Sequence, residues 1–138
     1  MRYMPVGYLF ESKGAMCFAD NDQTLLELLA FSNTCLVSSL LQILSPSVDY
    51  HEGPFGRLPI ISLPTDEHIN LARQAVEIAK QDWDSSEIAY DFQNFPWIPV
   101  DSNNFSIKRD WNLWATRLGQ TRENLRNIEI RNNHLFIN

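Results

Sequence analysis

Three observations predict an α+β chain that is mostly helical. Residues 6–19 alternate apolar with other side chains about a short turn, the period of paired strands. Four later stretches repeat apolar residues at helical spacing. Between them, residues 45–65 hold four of the seven prolines, which interrupt any regular element. The expected order is an N-terminal β-hairpin and a short strand with two buried helices, then a surface helix and a long C-terminal helix.

In the hairpin, Val6, Tyr8 and Phe10 alternate with Gly7, Leu9 and Glu11, and Ala15, Cys17 and Ala19 alternate with Met16 and Phe18. Ser12, Lys13 and Gly14 form the turn, where glycine can take a positive φ. Asp20-Asn21-Asp22 supplies cap side chains for a helix bearing Leu25, Leu26, Leu28, Leu29 and Phe31. Ser32-Asn33-Thr34 ends that helix and caps another, with Leu36, Val37, Leu40, Leu41, Ile43 and Leu44, which Pro46 stops. Both are apolar around most of their circumference, so burial is expected. Leu58 to Leu63 is the short strand. Thr65 caps the next helix, whose Ile69, Ala72, Val76, Ala79 and Trp83 form a narrow stripe suited to a surface position. Asn94 to Asn104 reads as a linker. From Ser106 to His134 the apolar positions Trp111, Trp114, Leu118, Leu125 and Ile128 follow a heptad-like seam that continues to Leu135, with Thr121 and Asn132 in the remaining slots. The expected division is 1–65, 66–92, 93–105 and 106–138.

A chain of 138 residues can bury one modest core. With 44% hydrophobic and 20% charged residues it is ordinary for a folded chain. No apolar run reaches the roughly 18 residues of a membrane span, and Pro5, Gly7, Glu11 and Lys13 leave no apolar signal-peptide core. A cytoplasmic location with no membrane partner is expected. Cys17 and Cys35 lie among apolar neighbours and read as buried free thiols.

Net charge is −6, the wrong sign for an autonomous nucleic-acid binder. The charge is uneven, however. Residues 66–91 carry seven acids against two bases, whereas 92–138 carry six bases against four acids. Lys13 at the hairpin turn and Lys108 with Arg109 before the last helix are the candidates for phosphate contact. Arg117, Arg122, Arg126 and Arg131 read as a solvated face or as intrahelical partners of acids such as Glu129.

Asn94-Phe95-Pro96-Trp97 approaches the Asn-Pro-Pro-aromatic pattern with which amino-group methyltransferases hold a flipped base, but Phe95 replaces the first proline. No glycine-rich cofactor loop follows a strand upstream, so no catalytic or cofactor-binding residue is assigned. His51, His68 and His134 lie too far apart for ligand spacing, and no metal site is assigned. Nucleophile-and-base motifs are absent as well.

The most distinctive string is Asp82-Trp83-Asp84-Ser85-Ser86-Glu87-Ile88-Ala89-Tyr90-Asp91-Phe92. It resembles a signature in the C-terminal part of the PglX-like adenine-specific DNA methyltransferases of BREX phage-defence systems. Gly7-Tyr8-Leu9-Phe10-Glu11-Ser12 with Ala15-Met16-Cys17-Phe18 resembles the last strands of a target-recognition domain in that family and in type IIG enzymes. Leu28-Leu29-Ala30-Phe31-Ser32-Asn33 resembles a helix junction that follows, and Leu44 to Tyr50 with Leu58-Pro59-Ile60 resembles the segment closing that domain. Glu129 to Ile137 is similar to a later helix. Ser86, Ile88 and Tyr90 depart from the Phe, Thr and Trp of the pattern.

The resemblance implies the end of a target-recognition domain in 1–65, a connector helix in 66–92, a linker in 93–105 and a docking helical segment in 106–138. It further implies a chain cut at both ends that is not itself an enzyme. Its parent would use S-adenosylmethionine to methylate adenine N6 in restriction-modification-type phage defence. Implied partners are DNA in the context of that parent and other domains or defence-system proteins. The alternative is a freestanding protein-interaction module assembling through its C-terminal helix.

Overall fold

The computed structural model describes residues 1–9, 16–46, 52–98 and 105–137. Among these, every regular element is a helix: α1 Asp22–Ser32, α2 Cys35–Leu44, α3 Glu52–Phe55, α4 Glu67–Asp84 and α5 Ile107–Ile137. The chain divides into two compact units. Met1–Arg73 with Glu129–Asn138 is one, and Gln74–Ile128 is the other.

In the first unit, Asn21 caps α1 by accepting the Thr24 N–H at 2.8 Å, as the Asp-Asn-Asp cluster predicts. Thr34 links two helices. Its buried Oγ1 donates to the Phe31 carbonyl at 2.8 Å and accepts the Val37 N–H at 3.3 Å, ending α1 and capping α2. The helices bend by 72° there, and no single helix among the described residues is long and apolar enough to cross a membrane. Burial is one-sided, contrary to expectation. Leu26, Ala30, Phe31, Val37 and Leu41 are buried, while Ile43 and Leu44 at the end of α2 are exposed.

The core is closed by two residues from the far end of the chain. Phe136 packs against Phe31 with ring centroids 5.7 Å apart, and the buried Asn132 donates Nδ2 to the Ala30 carbonyl at 2.8 Å. Next to it, Asn133 Oδ1 accepts the Cys35 N–H at 2.7 Å, satisfying an otherwise orphan donor in the first turn of α2.

The expected β-hairpin and short strand are not present among the described residues. Residues 6–9 and 16–19 contain no strand; Val6 and Leu9 are 103% and 97% exposed. An isolated hairpin is marginal in water, and no described segment pairs with these arms. The proposed turn falls in 10–15, outside the described residues. Residues 58–63 are irregular for a second reason: Pro59 has no N–H to donate to a ladder. Only Leu58 is buried there at the core, while Ile60 is exposed. Cys17 and Cys35 are also exposed, both as free thiols, so the buried reading does not hold for them.

Helix α4 starts with Glu67, and its stripe is buried only at Ile69 and Ala72; Trp83 at the other end is exposed. In the second unit it ends in successive turns. Ser86, Ala89 and Phe92 donate their N–H groups to the carbonyls of Trp83, Ser86 and Ala89. Lys80 pairs with Asp84 and reaches Asp91 at 3.5 Å. The acidic-aromatic string is thus a helix end followed by turns, with Ala89 tucked in and Tyr90 and Ile88 outside.

Candidate functional site

Of the three sequence-predicted contact residues, Lys13 lies in 10–15, outside the described residues. Lys108 and Arg109 occupy the first turn of α5. Their surroundings differ. Asp110 accepts the Ser106 N–H at 2.9 Å, an acid placed where the helix dipole favours it. The same carboxylate accepts Arg109 Nε at 2.9 Å and Nη2 at 3.2 Å. That bidentate pair, assisted by the Ser106 N–H, holds the Asp110 carboxyl below its usual range, and it raises the Arg109 guanidinium in turn. Both cations are exposed, but Arg109 has a carboxylate partner whereas Lys108 has no ion-pair partner among the described residues.

Further along α5 the cations separate into two kinds. In the first unit, Arg131 donates Nε and Nη2 to the Glu67 carboxylate at 2.6 and 3.2 Å. Its hydrogen bonds draw the Glu67 carboxyl down from its ordinary value. In the second unit, Arg117, Arg122 and Arg126 are exposed and, among the described residues, have no ion-pair partner. The pairing with Glu129 that their spacing suggests does not form.

Sequence reasoning missed an aromatic cluster in the second unit. Phe95 stacks on Trp97 at 4.6 Å and 25°, and Trp97 meets Trp111 and Trp114 edge-on at 5.5 and 5.3 Å. Phe92 adds an edge contact to Phe95 at 5.2 Å. The quartet that reads as linker thus supplies two rings to the apolar face of α5. The signal was available in the Trp111/Trp114 pair, which needs apolar neighbours to cover it. Trp111 still keeps 45% of its surface exposed.

His68, in the first unit, is 1% exposed and sits edge-on to Phe136 at 5.6 Å. Glu27 Oε1 lies 3.8 Å from its Nε2, and that carboxylate accepts the Ser62 hydroxyl at 2.7 Å. No three His, Cys, Asp or Glu side chains converge on a cation position among the described residues. A cleft of about 220 Å³ is lined by Met1, Met16, Cys17, Glu52, Phe55 and Gly56. It is smaller than the roughly 300–1,000 Å³ of small-molecule sites and holds one acid among apolar walls.

No protein-family model matches the chain, and no solved structure matches it significantly. Two curated bacterial proteins do. The adenine-specific methyltransferase PglX of Lacticaseibacillus casei (strain Zhang) is 30% identical over 139 aligned positions, 99% of this chain. The chain is a PglX-like segment. A second relative is the adenine-specific methyltransferase BrxX of Escherichia coli O9:H4 (strain HS), 32% identical over 95 positions and 67% of this chain. The segment spans 12% of the length of PglX and 8% of that of BrxX.

Methyltransferases of this kind imply S-adenosylmethionine, and the described residues of the PglX-like segment do not fit it. A nucleotide-type cradle needs glycines between a strand and a helix N-terminus. Here Gly7 lies in a turn, Gly53 and Gly56 lie at the four-residue α3, and Gly119 is inside α5. No reaction step is assigned to the segment.

Proposed function

We propose that this chain is a non-catalytic part of an adenine-specific DNA methyltransferase of a phage-defence system, contributing to DNA target recognition and to docking of neighbouring domains. The observation that carries this reading is the match to PglX across 99% of the chain. The non-catalytic part of the proposal is supported by Asn94-Phe95-Pro96-Trp97, whose Phe95 and Trp97 rings pack on each other and on α5 rather than around an open base pocket. The parent's S-adenosylmethionine-dependent chemistry, its DNA substrate and a cytoplasmic setting belong to the same proposal.

In this reading Lys13 and Lys108 with Arg109 meet the DNA backbone. A gel-shift titration of the chain against duplex DNA at low salt tests it. Replacing Lys13, Lys108 and Arg109 by Ala is expected to weaken binding and flatten its salt dependence, because each lost phosphate contact releases one counterion fewer. An unchanged affinity in the triple variant removes those residues from the interface.

A second reading, a protein-interaction module, is favoured by the apolar surface left on α5, where Trp111 and Leu113 are exposed. Light scattering with size exclusion distinguishes them. A monomer with measurable DNA affinity overturns the module reading, and a stable oligomer without DNA affinity overturns the DNA reading.

A further inference from the structure

Five cations face two carboxylates between residues 107 and 128: Lys108, Arg109, Arg117, Arg122 and Arg126 against Asp110 and Glu123. This stretch is locally positive in a chain of net charge −6. Arg109 is held by Asp110. The other four are not paired among the described residues, although Glu123 and Glu129 each lie three positions from Arg126. At 100° per residue, Lys108, Asn112, Ala115, Gly119, Arg122 and Arg126 share one face, and all six are exposed. Lys108 and Arg126 stand about 27 Å apart at 1.5 Å rise per residue.

Between the cationic ends lies a floor with almost no side chain. A Cβ built on Gly119 meets nothing within 4 Å, so no neighbour among the described residues requires glycine there. Glycine in a helix interior is unfavourable relative to alanine. Its presence on this face, beside Ala115, lets an external surface approach the helix backbone closely.

Resting on the reading above, we propose that the Lys108–Arg126 face of α5 is a binding surface for the sugar-phosphate backbone of duplex DNA. Lys108, Arg122 and Arg126 contact phosphates, and Gly119 and Ala115 give the clearance. The occupant follows from charge complementarity: a row of exposed cations on one helix face, without ion-pair partners among the described residues, matches a polyanion with regularly spaced charge. Contacts of this kind position a duplex and carry no base specificity, so sequence readout must come from other residues.

The test is fluorescence-anisotropy binding of the 138-residue chain to a labelled 20-base-pair duplex of mixed sequence, over a series of salt concentrations, with circular dichroism as the fold control. Arg122→Ala with Arg126→Ala is expected to raise Kd at least tenfold at low salt. It should also reduce the slope of log K against log salt by about 1.8, from about 0.9 per phosphate contact. Lysine at both positions should retain most of the slope. Gly119→Leu should weaken binding while leaving the slope nearly intact, since it removes clearance rather than charge. If the double variant and Lys108→Ala both bind as the unmodified chain does while Lys13→Ala with Arg109→Ala does not, the face is wrong and the broader DNA reading stands. Absence of duplex binding at low salt overturns both. Equal affinity for polyglutamate, or a doubled mass that Arg122→Glu with Arg126→Glu abolishes, assigns the face to an acidic protein segment or a second copy and overturns the DNA surface.

Discussion

The two ends of α5 contrast although they belong to one uninterrupted helix. At its C-terminal end, Ile128, Asn132 and Phe136 are buried, and Arg131 is held by Glu67. From residue 107 to 127 no α5 residue is buried, and Lys108, Arg117, Arg122 and Arg126 have no ion-pair partner among the described residues. Hydrogen-bond potential follows the same division: Asn132 and Asn133 are bonded to Ala30 and Cys35, about a hundred residues away in sequence. A helix can therefore be a structural element over one part of its length and present an open surface over another. Helical propensity holds both parts in one conformation, whereas tertiary contacts bury residues only in the first and in the second cover just the Trp111/Trp114 side.

The largest effect that would break this comparison is at Phe136. Phe136→Ala is expected to cost about 3–5 kcal/mol in urea denaturation, because it empties the space between Phe31 and His68. Leu113→Ala, on the open part of the helix, should stay within about 0.5 kcal/mol. Equal losses at the two positions would show that the open part is packed after all.

Asn132→Ala should destabilise by about 1–3 kcal/mol, since it leaves the Ala30 carbonyl without this donor. An exposed polar residue of the open part, Gln120, should tolerate alanine with no measurable change in the denaturation midpoint. Gly119→Ala should act in the opposite direction, raising stability by roughly 0.5–1 kcal/mol by calorimetry, because the added Cβ meets no neighbour. A loss instead would mean that the open part is crowded by something.

The smallest effect concerns the Glu67–Arg131 pair, which is solvent-exposed and screened by salt. The Glu67 carboxyl is lowered in the folded state by its hydrogen bonds to Arg131. Its stabilisation is thus fully present above the ordinary glutamate value of about 4.3 and is lost as pH falls through the lowered folded value. Glu67→Gln should flatten the acid limb of a stability-against-pH curve slightly and leave neutral behaviour almost unchanged. A larger effect at neutral pH than in acid would contradict the assigned pairing.

Helices were the legible part of this chain, for a local reason. Caps such as Asn21 and Thr34 and the breaks at Asn33 and Pro46 act within one turn, so α1 and α2 lie where the residues suggest. Alternation at 6–9 and 16–19 misled because strands are stabilised by partners, and a period of two says nothing about whether a partner exists. Among the candidate contact residues, Lys108 and Arg109 looked equivalent. The structure separates them through Asp110, whose bidentate acceptance of Arg109 could not be told from ordinary i,i+1 adjacency. The Trp111/Trp114 pair signalled a need for apolar cover but did not name Phe95 and Trp97 as its partners, because they are brought there from across a proline-containing segment.

By itself the sequence determined the kinship to PglX-like proteins, the uneven charge and the existence of the long helices, all of which are properties of residue identity and short-range spacing. Only the tertiary structure decided which stretch of each helix is covered, which cations are paired and where the tryptophans meet. Apart from the adjacent Arg109–Asp110 pair, those outcomes bring together groups separated in the chain, and burial and Coulomb pairing act through space rather than along the sequence.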